Sequence, residues 1–352
     1  MRGRIRLSSS PYTFVRTIVM EAALFRSSDY AKLLKMDLPE IIQFLEETTY
    51  RREIDELAVS EQGVQLIEHS VQRNFRHAVE KLRRISEPEL RYLIDAYLWR
   101  NDIMNVETLV RAKRSSEKPE RVQNLFIPGT IPKDELMRLY RLESVEALLE
   151  HLDMPFAQGI FTVYRDHGIP GFEAELTKRY YETTLAIAER IKGGGDIFRD
   201  FLQLEVSITN IMTVLKLKQE GASAEQIGQY LIRERSDGLR QASRARLLQK
   251  LVEAASVEEC FPILSSSWLR HALEDAASNY SRTGSLLDTE RDLQRFLLRR
   301  TTLLTHQHPL SVDVVLGYLF EKVNEKRNIF IIVKGKQLGM PEAFIEQELI
   351  IR

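Results

Sequence analysis

The sequence is short of what most functional classes require. It holds a single cysteine, Cys260, which excludes an internal disulfide framework and any multi-cysteine metal centre. Set between Glu259 and Phe261, that cysteine reads as a small buried hydrophobe in a reducing compartment. No apolar run approaches the roughly 20 residues needed to span a bilayer. The best candidate, Phe14 to Phe25, is interrupted by Arg16, Thr17 and Glu21, so no direct membrane span is expected. A surplus of positive charge is also missing: 50 basic residues face 51 acidic ones, for a net charge of −1. A nucleic-acid binder needs such a surplus to displace counterions, so no nucleic-acid partner is expected.

Signatures of chemistry are equally scarce. Gly335-Lys336 has no glycine five residues before it and is followed by Gln337, so it is not a phosphate-binding loop. Gly193-Gly194-Gly195-Asp196 reads as a turn between helices. His306 and His308 form a His-x-His pair with no acidic or cysteine partner nearby. None of the seven histidines follows a glutamate by three residues, as a carboxylate-bridged dimetal bundle would require. Ser265-Ser266-Ser267 before Trp268 reads as a capping loop. No catalytic residue, cofactor, metal site or small-molecule ligand is expected.

What is present is a helix-forming chain with enough apolar content for a true core, 43% hydrophobic and 29% charged. A short basic tail, Met1 to Arg6, precedes the first helical pattern. Asp37-Leu38-Pro39-Glu40 is a helix start, with a capping Asp followed by Pro and Glu in the first turn. From Glu61 to Ile85 the residues Val64, Ile67, Val71, Phe75 and Val79 make one amphipathic stripe. Helices are expected at Pro88–Leu98, Asp102–Arg114, Gly171–Lys192 and Leu310–Gly335, among others. The β-branched run Ile329–Val333 is assigned to helix because helix formers bound it on both sides. Tyr92, Tyr97, Trp99, Tyr180 and Tyr181 lie at helical spacings suited to packing between helices.

The most informative feature is a repeat. Asn105-Val106, then Leu109-Val110 and Lys113, has the same spacing as Asn210-Ile211, Val214-Leu215 and Lys218. It occurs a third time as Asn328-Ile329, Ile332-Val333 and Lys336. Each copy is followed by a hydrophobic pair, at Phe126-Ile127, Leu231-Ile232 and Leu349-Ile350. The aliphatics form a buried helical stripe, and the lysine falls where a helix ends and its dipole turns negative. The six polar positions are candidates for structural or interface roles. The expected fold is all-α: three pseudo-equivalent helical units, 1–129, 130–234 and 235–352, in one continuous body. Three like units suit a funnel about an approximate threefold axis.

The chain resembles the C subunit of archaeal and bacterial A/V-type ATP synthases, the family of the vacuolar d subunit. The resemblance rests on Tyr12 with Arg16, Tyr30 to Leu34, and Leu45 to Tyr50. It continues through Asn101 to Val106 and Ile127-Pro128-Gly129. Its most specific part is Glu325 to Ile329, Lys334-Gly335-Lys336 and Gly339-Met340-Pro341. It departs at Arg114-Ser115-Ser116, where the family has a glycine. The resemblance implies a non-catalytic central-stalk rotor subunit, peripheral on the cytoplasmic face of the cell membrane. Its partners would be the proteolipid membrane ring and the central-shaft subunits, between which it would carry torque for ion transport coupled to ATP synthesis or hydrolysis. A helical-repeat adaptor is the alternative, but its period of about 34 to 47 residues is not visible. A helical enzyme would need convergent carboxylates or histidines, which the sequence lacks.

Overall fold

A computed structural model of the chain describes residues 5–6, 11–192, 195–233, 239–307 and 312–351. In chain order the helices are α1 (Pro11–Ala22), α2 (Ser27–Lys35), α3 (Leu38–Glu46), α4 (Arg51–Leu57), α5 (Gly63–Ile85) and α6 (Pro88–Arg114). They continue with α7 (Pro119–Leu125), α8 (Lys133–Arg141), α9 (Val145–Glu150), α10 (Ile160–Ala188), α11 (Gly195–Gln219) and α12 (Ala224–Tyr230). The last are α13 (Leu239–Glu253), α14 (Val257–Ser265), α15 (Ala276–Thr283), α16 (Leu287–Gln307), α17 (Val312–Gln337) and α18 (Glu342–Glu348). Among the described residues, β structure is confined to the two-residue strands Ile5–Arg6 and Ile191–Lys192. The fold is all-α.

Local signals explain many of these boundaries. Asp37 caps α3 by accepting from the Glu40 amide, and the Glu40 carboxylate accepts from the Asp37 amide, both at 2.9 Å. This reciprocal pair satisfies two amides that the first helical turn leaves without partners. Ser144, Ser223 and Ser256 cap α9, α12 and α14 by accepting from the amides of Ala147, Gln226 and Glu259, and at Ser223 the Gln226 side chain returns the bond. The run Ile329–Val333 lies inside α17, as its flanks require.

One expected gap between helices is not a gap. Pro88–Leu98 and Asp102–Arg114 form one helix, α6, because the polar residues between them find partners without leaving the helix: Arg100 reaches Glu205 on α11. The expected break at His167–Gly171 is present: within α10, Gly168 adopts φ 66° and ψ −161°, outside the helical region, so two helices meet there at a kink. A proline removes one helical hydrogen bond, and the glycine ahead of it absorbs the kink. The Ser236-Asp237-Gly238 break, Gly193 and Gly194, and the side chains of His306 and His308 lie outside the described residues.

The chain divides into two compact bodies, a middle body built on Asp95–Leu297 and an end body that joins Arg6–Ile94 to Leu298–Arg352. The end body unites the two ends of the sequence around one core. Tyr30, Leu33, Leu34, Ile41 and Leu45 from α2 and α3 pack with Ile67 and Val71 from α5, and with Ile329, Ile332, Val333 and Ile345 from α17 and α18. Each such side chain contributes roughly 1.5–3 kcal/mol on leaving water. In the middle body the core includes Tyr97, Trp99, Phe156, Tyr180 and Phe201. Cys260 is fully buried there, and burial pushes its thiol up to about 11.

The triplicated motif as candidate functional site

The three copies of the motif have one local structure. Asn105, Asn210 and Asn328 are buried to within 1% of complete inaccessibility, on α6, α11 and α17. Each clamps both backbone groups of a single residue 22 positions downstream. Asn105 Nδ2 donates to the Ile127 carbonyl at 2.8 Å while its Oδ1 accepts from the Ile127 amide at 2.9 Å. Asn210 holds Ile232 with two bonds of 2.9 Å, and Asn328 holds Ile350 at 2.8 and 3.1 Å. An asparagine amide matches a peptide unit donor for acceptor, which explains the residue type in the middle of a helix that otherwise disfavours it.

Between clamp and clamped residue lies the same short helix. α7, α12 and α18 are each seven residues long, and each buries one side chain: Val122, Ile227 or Ile345. These stand 17 residues after their respective asparagines. The turn before each short helix is also the same. The amides of Ser116, Gly221 and Gly339 reach back to the carbonyls of Lys113, Lys218 and Lys336, and the next amide bonds Ala112, Leu217 or Gly335 at 2.9 Å. This is the Schellman pattern, with its left-handed residue at φ 52°, 79° and 65°. Ser116 is the only non-glycine with positive φ among the described residues, and the two equivalent positions are glycines.

Each lysine lies in the last turn of its own helix, as the spacing predicts, and its ammonium reaches the end of a second helix. Lys113 Nζ donates to the Tyr140 carbonyl at 2.8 Å and to that of Leu142, at the C-terminus of α8. Lys218 does the same for Val252, at 3.0 Å, and Ala254, at the end of α13. Lys336 donates to Leu34 at 2.7 Å, the penultimate residue of α2. A cation at these carbonyls neutralises the negative end of the helix dipole. In the third copy the capped helix therefore comes from the beginning of the chain. The helix pair α2–α3 takes the place held by α8–α9 and α13–α14 in the other two copies.

Three residues before the motif asparagine a further role recurs. The Asp102 carboxylate accepts from the Thr130 hydroxyl at 2.6 Å and from the amides of Thr130 and Ile131 at 2.9–3.0 Å, just ahead of α8. Its pKa is raised, burial outweighing those bonds. Glu325 occupies the same register, accepts from the Phe25 amide at 2.6 Å just ahead of α2, and binds the Tyr50 hydroxyl at 2.6 Å and Lys322 at 2.7 Å. The second copy has Ser207 there. Sequence reasoning missed this position, and also the left-handed residue and the buried residue of the short helix. The left-handed residue and the buried residue were readable as fixed offsets from the asparagine once that residue was chosen as origin; the acidic residue recurs in only two of the copies.

A half-buried charge pair braces the middle body. Arg100 makes a two-pronged contact with Glu205 at 2.7 and 2.8 Å, bonds the Tyr180 hydroxyl at 3.0 Å, and lies 3.8 Å over the Tyr97 ring. Among the described residues no cluster of His, Cys, Asp and Glu is arranged to hold a metal ion. The six candidate residues instead direct their polar atoms at the chain's own backbone, in three separate and equivalent places.

The sequence profile of the ATP synthase (C/AC39) subunit family matches residues 14–348. The chain belongs to that family. Among its relatives is the C subunit of the A-type ATP synthase of Methanococcoides burtonii, 28% identical over 98% of this chain and 95% of the relative. Its counterpart from Methanosarcina acetivorans is 29% identical, covering 98% and 93% of the two chains. That of Archaeoglobus fulgidus is 25% identical over 97% and 96%. The profile takes in all three motif copies, from α6 to α18, and also the α2–α3 pair that completes the third.

Proposed function

We propose that this ATP synthase subunit is the central-stalk piece that seats the shaft of an A/V-type rotary enzyme on its proteolipid ring. It makes and breaks no bonds; it transmits torque from a peripheral position on the cytoplasmic face of the membrane. Among the described residues no helix is long and apolar enough to cross a bilayer, which fits a peripheral seat. The observation that carries the reading is the triplicated fixing of backbone to backbone described above. A torque-bearing part must deform little, and each copy ties a long helix to a short helix, an extended segment and the end of a further helix. The buried pair Lys322–Glu325 and the half-buried pair Arg100–Glu205 add a penalty to any slip in register.

We further propose that three helical units, each opened by its Asn–Lys helix, surround a common axis to form a funnel. On this proposal the third unit is completed across the termini by α2 and α3. One difference between the copies bears on the partners. At the turn and short helix, the third copy exposes Leu338, Met340 and Phe344, whereas the equivalent residues are Ser115, Glu117 and Arg121 in the first copy and Glu220, Ala222 and Gln226 in the second. A ring of identical proteolipids offers every unit the same chemistry. A face that is apolar in only one unit suits a single-copy shaft. The test is capture of detergent-solubilised ring and of purified shaft subunits by the intact chain. Capture of both, with no ATP turnover by the isolated chain, supports the proposal; capture of neither, or turnover, refutes it.

A further inference from the structure

Each motif helix is also held to a second long helix by one charge pair. Six residues after the asparagines stand Arg111, Lys216 and Lys334. Arg111 pairs with Glu173 on α10 at 2.7 Å, Lys216 with Glu290 on α16 at 3.0 Å, and Lys334 with Glu68 on α5 at 2.8 Å. A left-handed glycine stands five or six residues before each glutamate: Gly168, Gly284 and Gly63, at φ 66°, 64° and 57°. The brace is a further triplicated part, and the second and third copies show its plain form.

The first copy departs from that form twice. Two residues after its asparagine it has Glu107, where the others have Met212 and Phe330. Glu107 and Arg111 lie one turn apart on α6, in the order that favours a glutamate–arginine pair within a helix. Arg111 therefore has two carboxylates to choose from, one on its own helix and one across the joint. The second departure is in the partner helix. Gly63 opens α5 and Gly284 precedes α16, but Gly168 stands between two limbs of α10, with Glu173 five residues past the kink. In this copy alone the brace ties one limb of a bent helix to the motif helix.

Charge decides which carboxylate holds the arginine. Glu107 is half-buried, and among the described residues the charged groups acting on it are Glu173 from α10 and Arg111 from its own helix. Burial, and then Glu173, hold its proton up to about 7. While that proton is in place, Arg111 belongs to Glu173. Once it leaves, two carboxylates share one guanidinium and repel each other across the joint.

We propose that Glu107 is a proton-operated release for this brace: protonated, it leaves Arg111 to hold α10 against α6, and ionised, it draws Arg111 along its own helix and loosens α10 at the Gly168 kink. The inference does not depend on the stalk assignment; it adds to the first copy a stiffness that falls as pH rises.

The test is hydrogen–deuterium exchange of the full chain, read by mass spectrometry and corrected for the intrinsic effect of pH. From about pH 6 to about pH 8, exchange near Gly168 and Glu173 should rise about two- to fivefold, the worth of a partly exposed ion pair. Peptides around Glu290 and Glu68 should not change. Glu107→Gln should keep α10 at its low-pH rate throughout, and Arg111→Gln should give the high rate throughout. Glu107→Met, which copies the second unit, is a second variant with the same expected outcome as Glu107→Gln, and circular dichroism verifies the fold of each. A pH response of α10 that survives both Glu107 variants belongs to another group, such as the exposed His167, and overturns the proposal. So does wild-type α10 exchange that is equal at the two pH values, or an equal response around Glu290 and Glu68. Capture of ring and shaft is a separate measurement, so either outcome leaves the stalk reading to its own test.

Discussion

Replacing Ser116 with glycine should stabilise the protein, although it removes a side chain and adds no contact. Ser116 holds φ 52° at a turn where the two equivalent positions are Gly221 and Gly339. The left-handed conformation costs an L-residue roughly 1–2 kcal/mol. Glycine gives back about 0.5–1 kcal/mol through the greater freedom of its unfolded chain. The difference leaves Ser116→Gly more stable by about 0.5–1 kcal/mol, or a rise in Tm of roughly 1–4 °C for a body of this size. The reciprocal change is the control. A Cβ at Gly221 would meet nothing within 4 Å, so Gly221→Ser carries only the backbone penalty and should lose about the same amount. Urea and thermal unfolding of both variants measure the effect. An unchanged or lowered stability in Ser116→Gly, or an indifferent Gly221→Ser, would refute the equivalence of the three turns.

Three further outcomes follow from the same geometry. Asn210→Ala should cost about 3 kcal/mol in urea unfolding, because it removes two hydrogen bonds and strands the buried amide and carbonyl of Ile232. Lys322→Met should cost about 3–5 kcal/mol by leaving Glu325 charged and buried without its cation, and adding Glu325→Gln should recover part of that loss. Glu107 supplies a pH dependence. Burial, and then the negative charge of Glu173, push its carboxyl up to about 7, with Arg111 opposing. The folded protein thus holds this proton more tightly than the unfolded chain. Its contribution is full below the ordinary value of 4.5 and is lost as pH rises to about 7. Glu107→Gln should flatten stability between those limits, by on the order of 2 kcal/mol at neutral pH.

Much of the fold was legible in the sequence because helical signals are local. The reciprocal cap at Asp37, the stripe from Ile67 to Val79 and the helical character of Ile329–Val333 each depend on residues within a few positions of one another. The continuity of α6 was not legible. It depends on Arg100 meeting Glu205, which lies 105 residues away. The repeat exposed the six motif positions, but the clamp they build could not be read from spacing alone, since a buried asparagine can bond to many partners. The lysines show the limit most clearly. Periodicity put each near a helix end, and only the folded chain reveals that the end it caps belongs to another helix. For Lys336 that helix lies 302 residues away, at Leu34.

The central claim is that three like units stand around one axis. Ser115, Glu220 and Leu338 occupy equivalent exposed positions, ten residues after each motif asparagine, and the only native cysteine is buried. Spin labels on the pairwise double variants Ser115→Cys/Glu220→Cys, Glu220→Cys/Leu338→Cys and Ser115→Cys/Leu338→Cys report the three separations by dipolar spectroscopy. Units around a shared axis predict three nearly equal distances. One distance close to the sum of the other two would place the units in a row and contradict the account.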